Sequence, residues 1–183
     1  PDTADALFAK AEADAKSRKM IRSFIRKHPE AFVAVVGCYA ELASDTIAGI
    51  PGVDLVLGTQ NKLDVVDLIR DTKAGVPAVR RANLAAEDFS IEVCGSDVPG
   101  NTLAHRANLK IQDGCDQWCA YCIVPAARGP ARSRDFDNLV EEAVSLASRG
   151  TKEIVLTGVN VCAYGNKGRT LVDVVDALDA VEG

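Results

Sequence analysis

Apolar residues along this chain follow two patterns: in some segments they recur every three or four positions, and in others they form short unbroken runs. Met20, Ile21, Phe24 and Ile25 follow the first pattern, which predicts an amphipathic helix. The run AFVAVV at residues 31–36 follows the second, which is typical of a strand buried in a parallel sheet. These patterns predict helices at residues 11–28, 44–50, 60–71, 136–149 and 170–181, and strands at residues 31–36, 53–57, 109–111 and 153–157. Because strands and helices alternate, we predict an α/β fold with a mainly parallel sheet.

Single residues predict where some of these elements begin and end. Pro29 ends the first helix, Ser44 is a candidate N-cap for the second, and Gly150 is a candidate terminator for the helix at residues 136–149. Cys38 follows the first strand, so we predict that it lies in a loop.

Residues 75–104 interrupt the alternation, because they have little hydrophobic periodicity and are rich in glycine and proline. We predict one edge strand there, near residues 89–93. The domain boundary then falls in this segment, with a first α/β domain at residues 1–95, a linker at 96–105 and a second domain at 106–183. The second domain begins with a strand, a long loop, a helix, a second strand and a second helix. This order is typical of the start of a barrel or a doubly wound sheet. Two strands cannot close a barrel, so we expect further strands in a longer parent protein.

Composition and charge narrow the class of protein. The 183 residues are 48% hydrophobic and 26% charged, which is ordinary for a globular chain and excludes wholesale disorder. A net charge of −5 argues against a protein that binds nucleic acid through its overall charge. No apolar run approaches the length of a membrane span and no signal-peptide pattern opens the chain, so we expect a cytoplasmic protein that is not in a membrane.

One short segment has a charge of the opposite sign. Between Ala15 and Lys27 the chain has six basic residues and no acidic residue. A solvated helix face is the usual explanation of such a run, and a surface that meets RNA phosphates is the alternative.

The cysteines carry the most specific chemistry. Cys115, Cys119 and Cys122 fall within eight residues, whereas Cys38, Cys94 and Cys162 are scattered, which is not the spacing of a disulfide scaffold. The three clustered cysteines follow a predicted strand, at the end where parallel α/β folds place their ligands. Three thiolates can hold three corners of an iron–sulfur cube and leave one iron open. A structural zinc site normally has four ligands, so zinc stays an alternative with Cys38 or Cys162 as the fourth.

Beyond the spacing, residues 109–135 (LKIQDGCDQWCAYCIVPAARGPARSRD) resemble the cluster-binding segment of the radical S-adenosylmethionine (SAM) methylthiotransferases. The segments VVGCYAEL at 35–42, IPGVDLVLGTQNK at 50–62 and EIVLTGVN at 153–160 agree with this family. Within it, LKIQDGCD and LTGVN are most similar to the branch that acts on N6-threonylcarbamoyladenosine in tRNA. The isopentenyladenosine and ribosomal-protein branches are alternatives, and so is a non-enzymatic fragment that binds a structural metal.

The resemblance implies a cofactor site. Cys115, Cys119 and Cys122 would hold a [4Fe–4S] cluster whose open iron binds SAM, and an electron donor would be needed. In the superfamily, backbone near Tyr121 contacts the adenine of SAM. The end of the second strand, here Thr157, Gly158 and Asn160, lies beside the methionine part.

The resemblance also implies a fold, a product and a second cluster. The fold is a partial N-terminal methylthiotransferase domain followed by the first two β/α units of a radical SAM barrel, so we expect this chain to be an internal piece. The product is the 2-methylthio derivative of N6-threonylcarbamoyladenosine at position 37 of a tRNA substrate. Cys38 matches one of three ligands of an auxiliary [4Fe–4S] cluster. The family draws the other two from sequence upstream of Ala11, where this sequence has no cysteine.

Residues around the cysteine loop have alternative roles. Arg128, Arg132 and Arg134 are candidates to contact the SAM carboxylate or tRNA phosphates. Trp118 either shields a cluster or fills a gap in the core. We interpret Asp113 and Asp116 as turn residues, and Cys94 as an ordinary thiol.

Overall fold

The structure is a computed structural model that describes residues 3–60, 64–81, 84, 87–91 and 105–182, with side chains from residue 11 onwards. Contacts divide the chain into two compact units, and each has its own parallel strand pairing and hydrophobic core. The first unit comprises Pro1–Leu84 and Gln117–Arg128, and the second comprises Ala85–Asp116 and Gly129–Gly183.

The first unit is built around three short parallel strands. Leu55 in the central strand pairs with Ala34 on one side and with Ala78 on the other. The central strand is completely buried, which explains its unbroken apolar sequence. The elements are α1 (Thr3–Lys27), β1 (Ala34–Val36), α2 (Cys38–Leu42), α3 (Ser44–Ala48), β2 (Leu55–Leu57), α4 (Val65–Asp71), β3 (Ala78–Arg80) and α5 (Val124–Arg128).

Helix α1 contributes to the core of this unit through its apolar stripe. Ile21 and Ile25 pack against a buried cluster formed by Val33, Ala40, Ile47, Ile50, Val53 and Val56. Beside this stripe, Arg18 Nη1 donates a hydrogen bond to the Tyr39 hydroxyl at 2.9 Å. Among the described residues, no helix is both long enough and apolar enough to cross a bilayer.

The second unit has a parallel pair of strands with two helices. Its elements are β4 (Arg106–Lys110), β5 (Gln112–Asp113), β6 (Arg132–Ser133), α6 (Phe136–Ser148), β7 (Glu153–Thr157), β8 (Gly165–Asn166), β9 (Arg169–Thr170) and α7 (Leu171–Asp179). β4 pairs with β7 in parallel, so that Lys110 lies opposite Thr157 where both strands end. β5 pairs with β6 and β8 with β9, both antiparallel.

The core of the second unit lies between β4 and helices α6 and α7. Its buried residues are Leu109, Ile111, Leu139, Ala143, Tyr164 and Val174. The Tyr164 hydroxyl donates to the Arg134 carbonyl oxygen at 2.9 Å, and burial raises the pKa of this phenol to about 12. The ring therefore stays neutral and hydrogen-bonded within the core at physiological pH.

Local sequence sets the helix ends of the second unit. The Asp135 side chain caps α6 by accepting from the Asn138 N–H at 3.2 Å. Gly150 follows the helix with a φ of +88°, which confirms its predicted role as a terminator. Thr170 and Asp173 form a capping box at the start of α7.

Several predicted boundaries differ from the structure. Helix α1 begins at Thr3, eight residues before the prediction, and α4 begins at Val65 rather than residue 60. β1 and β2 are three residues long, because only that part of each apolar run is in register with a neighbouring strand. Ser44 is the first residue of α3 and the N-cap position belongs to Ala43, so the predicted cap is wrong.

Short elements formed by tertiary pairing were missed. Cys38 is the first residue of α2 rather than part of a loop. β3 lies in the segment at residues 75–104, where only an edge strand near residues 89–93 was predicted, because Ala78 and Val79 form an apolar run too short to stand out. Phe89 makes one parallel bridge with Arg134, and the predicted edge strand continues to residues 92–93, outside the described part of the chain. The predicted loop after Cys115 contains α5 and β6.

Candidate functional site

The peptide that precedes Cys115 is held tightly in place. Cys115 is half-buried, and its N–H donates to the Gly129 carbonyl oxygen at 3.1 Å. Gly114 has a φ of +71°, and a Cβ atom built on it would lie 1.9 Å from the Pro130 carbonyl oxygen. Only glycine fits this position, because any side chain would clash with backbone that cannot rotate away. The glycine of QDGC therefore allows the backbone approach that positions Cys115.

Cys119 and Cys122 lie in a tight turn in the first unit. The Cys122 N–H donates to the Cys119 carbonyl oxygen at 2.9 Å. The Cys119 side chain is exposed and that of Cys122 is half-buried. Trp118, with a φ of +43°, is 70% exposed, so it does not fill a gap in the core. Tyr121 is also exposed, and α5 follows the turn.

Two further segments of interest follow the neighbouring strands β4 and β7. Residues 111–115 continue from the end of β4, and Thr157 to Asn160 continue from the end of β7. The Thr157 hydroxyl donates to the Leu109 carbonyl oxygen at 3.3 Å, which adds a side-chain contact to the strand pairing. Because these strands are parallel, both segments lie at the carboxyl edge, where ligands bind in such folds.

Gln112 joins these two segments. Its side chain is completely buried, and Nε2 donates to the Asp113 and Gly114 carbonyl oxygens, at 2.8 Å in each case. Its Oε1 accepts from the Asn160 N–H at 2.8 Å. A Cβ atom on Gly158 would lie 3.0–3.1 Å from atoms of Gln112, so the loop also packs closely against it. The role of Gln112 was not predicted, although a polar side chain directly after an apolar strand is a signal in the sequence.

Asp113 is a buried acceptor between cations. Its Oδ1 accepts from the Gly114 N–H at 2.9 Å. Its Oδ2 lies 2.5 Å from Lys110 Nζ and 3.5 Å from Arg132 Nη2. Both cations also lie over the Phe89 ring, at 5.3 Å and 5.5 Å from its centroid. These contacts hold the backbone that leads into Cys115. Asp113 is the last residue of β5, so the prediction that it lies in a turn is wrong.

Comparison with known proteins places this site in a family. Residues 109–178 match the Radical SAM superfamily. The threonylcarbamoyladenosine tRNA methylthiotransferase MtaB of Bacillus subtilis is 40% identical over 179 residues, covering 93% of this chain and 38% of that protein. The protein of the same name from Aquifex aeolicus is 33% identical, covering 93% of this chain and 41% of that protein. A tRNA-2-methylthio-N(6)-dimethylallyladenosine synthase of Trichlorobacter lovleyi is 35% identical, covering 89% of this chain and 37% of that protein.

The chain belongs to the radical SAM methylthiotransferases. It spans about two fifths of the length of the curated relatives that it matches.

The family implies [4Fe–4S] clusters and SAM as cofactors, and the chemistry of the thiols in this chain fits them. Every described cysteine is a free thiol, including Cys115, Cys119 and Cys122, so each can act as a thiolate ligand. Within the described ranges, no group of three or more His, Cys, Asp or Glu side chains is gathered in a form that could hold a metal ion. The part of the chain that the structure describes thus supplies suitable donors without gathering them into a preformed metal site.

The candidate auxiliary ligand Cys38 starts a helix that a buried carboxylate fixes in place. Glu41 of α2 accepts from the Thr59 N–H at 2.8 Å, and its carbonyl oxygen accepts from Arg81 Nη1 at 3.0 Å. A Cβ atom on Gly58 would lie 2.1 Å from the Glu41 carboxylate, so a side chain there would displace this carboxylate from its bond to Thr59. Cys38 itself is half-buried. Glu41 was not predicted as a structural residue, since an acidic residue in a short helix is usually exposed.

The three arginines that follow the cysteine loop have different surroundings. Arg134 is completely buried; it forms an ion pair with Glu142, and its Nε donates to Asn138 Oδ1 at 2.7 Å. This arginine is therefore occupied within the protein, and the expectation that it contacts SAM or tRNA is wrong. The Arg132 side chain is 10% exposed and faces Asp113 and Phe89. Arg128 is half-buried in the last turn of α5.

Proposed function

We propose that this chain contains the SAM-binding cluster site of a tRNA methylthiotransferase. The proposed reaction of the intact enzyme converts N6-threonylcarbamoyladenosine at position 37 to its 2-methylthio derivative. The observation that carries the proposal is the trio of free thiols at Cys115, Cys119 and Cys122, in a loop that follows the carboxyl end of a parallel strand. The names of the similar proteins, which are tRNA-modifying enzymes, support the substrate class.

In this proposal the three thiolates of the cysteine loop hold the cluster. Bound there, a [4Fe–4S] cluster and SAM supply one-electron radical chemistry, for which an electron donor is required. Gln112 fixes the backbone on both sides of the site: the peptide before Cys115 and the N–H of Asn160. When SAM is bound, backbone near Tyr121 would hold its adenine, and Thr157, Gly158 and Asn160 would hold its methionine part.

The proposal extends to the rest of the molecule. The strand pair β4–β7, with helices α6 and α7, forms the first two β/α units of a radical SAM barrel. Residues 1–95 belong to the N-terminal methylthiotransferase domain, 96–105 to a linker and 106–183 to the barrel domain. Cys38 supplies one ligand of the auxiliary cluster. A tRNA-modifying enzyme of this kind acts in the cytoplasm.

Anaerobic reconstitution with iron and sulfide tests the cluster site. We expect a brown protein with one [4Fe–4S] cluster on the cysteine loop, and loss of that cluster in Cys119→Ala. Cys162→Ala is the matched control, because Cys162 is also an exposed free thiol but lies outside the loop. If the chain instead held one zinc ion tightly and took up no iron, the assignment would be wrong.

A second substrate has direct support from the comparisons. The relatives named tRNA-2-methylthio-N(6)-dimethylallyladenosine synthases are 35–36% identical, within the 30–40% range of those named for threonylcarbamoyladenosine. Nucleoside analysis of tRNA from cells that lack the parent protein separates the two. We expect threonylcarbamoyladenosine to lose its methylthio group; loss from dimethylallyladenosine would assign the other branch.

A further inference from the structure

Helix α1 carries a compact group of cations on one side. Arg18, Lys19, Arg22 and Arg26, with Ala15, line a shallow cavity of about 390 Å³. We call these four basic residues the α1 basic patch. Lys19, Arg22 and Arg26 are exposed, and Arg18 is half-buried because it contacts Tyr39.

Helical geometry explains why the patch is compact and outward-facing. At about 100° per residue, its four members fall within an arc of about 100° around the helix axis. Ile21 and Ile25 lie outside this arc and pack into the core of the first unit. The apolar stripe therefore anchors the helix while the cations beside it face solvent.

The charges of the patch are poorly explained by the fold. Arg18, Arg22 and Arg26 are four residues apart in succession, an arrangement in which like charges destabilise a helix. The segment from Ala15 to Lys27 contains no acidic residue, and no ion pair of the described residues includes Lys19, Arg22 or Arg26. The helix dipole favours cations in the last turn, which accounts for Arg26 and Lys27 but not for Arg18, Lys19 or Arg22.

We propose that the α1 basic patch binds the phosphate backbone of RNA. Arg18, Arg22 and Arg26 rise about 6 Å from one to the next along the helix, a step of the order of the distance between successive phosphates in an RNA strand. Guanidinium groups suit phosphate oxygens, which they contact through paired N–H donors. In a chain with a net charge of −5, such a patch also orients an approaching polyanion toward this surface. The choice of RNA over other polyanions rests on the proposed function.

A salt series measured with an unmodified tRNA transcript tests the proposal. The triple variant K19Q/R22Q/R26Q removes three exposed charges and keeps Arg18, whose bond to Tyr39 is part of the fold. By fluorescence anisotropy we expect affinity at moderate salt to fall by about tenfold or more, and the slope of log affinity against log salt to decrease by about 2 to 3. The thermal midpoint of the variant should be no lower than that of the wild type, because the substitutions remove repulsion between like charges on the helix.

The matched control is R70Q/K73Q/R80Q, which removes three exposed positive charges from the same unit and changes the net charge equally. It should leave the salt slope nearly unchanged. If the two triple variants lowered the salt slope of tRNA affinity equally, the proposal would be overturned. It would also be overturned if the wild-type chain bound no tRNA. If K19Q/R22Q/R26Q does not fold, R22Q alone should still lower the slope by about 1.

Two further results separate this inference from others. Loss of binding to phosphatidylserine vesicles with unchanged tRNA binding would assign the patch to a membrane surface and overturn the proposal. Cluster formation by the same chain is measured independently. A chain that takes up its cluster but shows no effect of the patch variants would refute only the RNA surface, whereas failure to take up iron would refute the proposed function.

Discussion

A buried side-chain amide is stable only when its two N–H groups and its oxygen are paired, and Gln112 meets this condition. Its three partners are backbone groups on either side of the candidate cofactor site. Loss of the amide would remove one hydrogen bond from each of two carbonyl oxygens, those of the buried residues Asp113 and Gly114, and one from the partly buried N–H of Asn160. The penalty for unpaired buried groups exceeds the small net gain of a typical hydrogen bond.

We therefore expect Gln112→Leu to lower the free energy of unfolding by about 3 kcal/mol. Gln117→Leu is the matched control, since Gln117 is exposed, and its effect should stay within about 0.5 kcal/mol. Urea unfolding followed by circular dichroism measures both. If the two substitutions lowered the free energy of unfolding equally, the Gln112 amide would not stabilise the loop.

Gly114 allows a second residue-scale prediction. Gly114→Ala combines a left-handed backbone with a clash against the Pro130 carbonyl oxygen, so we expect a loss of more than about 3 kcal/mol and reduced iron uptake. Gly168→Ala separates the two causes, because Gly168 has a φ of +81° with nothing within 4 Å of a Cβ atom. That variant should lose about 1 kcal/mol, the cost of the backbone conformation alone. A similar loss for both variants would exclude the clash.

At the scale of elements, α6 depends on its first turn for part of its stability. The bonds from Lys167 and from the Asn138 N–H lower the pKa of Asp135 below its ordinary value of 3.8, and the bond to Asp135 raises the pKa of Lys167. A lowered carboxyl pKa means that the folded state binds the proton less readily than the unfolded state. The stabilisation from Asp135 is therefore complete above its ordinary pKa and is lost as the pH falls through the lower folded-state value.

Acid titration of Asp135→Asn tests this linkage. Asparagine keeps a side-chain oxygen for the N-cap but has no charge and no proton to gain in this range. Between pH 6 and pH 3 the thermal midpoint of the wild type should fall more steeply than that of the variant. Asp176→Asn, at an exposed position on α7, should follow the wild type. A variant curve parallel to the wild type would contradict the assignment.

Elements differ in how far their own sequence specifies them. β7 has the predicted bounds and α6 ends within one residue of them, because each carries a full hydrophobic pattern with clear end signals. β3, β5 and β6 exist through pairing with distant residues, so no local pattern marks them. β8 and β9 instead pair with each other across a tight hairpin, and each is only two residues long. The same distinction applies within the site. The spacing of Cys115, Cys119 and Cys122 is local, whereas the role of Gln112 depends on Asn160, which lies 48 residues further along the chain.

At the scale of the whole molecule, charge is distributed unevenly. The net charge of −5 predicts weak binding of nucleic acid, yet the basic residues between Ala15 and Lys27 concentrate the opposite sign on one helix. Overall composition therefore describes the average field, and the folded chain determines where a polyanion meets cations. This is why net charge and a local RNA surface are compatible.

Cofactor binding should also change the stability of the whole chain. A ligand that binds the folded state and not the unfolded state raises the unfolding midpoint by mass action. We expect anaerobic reconstitution with iron and sulfide to raise the midpoint by about 5 °C, measured by scanning calorimetry without oxygen, and chelation of the iron to reverse it. The unfolding midpoint of Cys162→Ala should rise as much as that of the wild type, whereas the midpoint of Cys119→Ala should not rise. An equal gain in Cys119→Ala would mean that the iron binds elsewhere than on the cysteine loop.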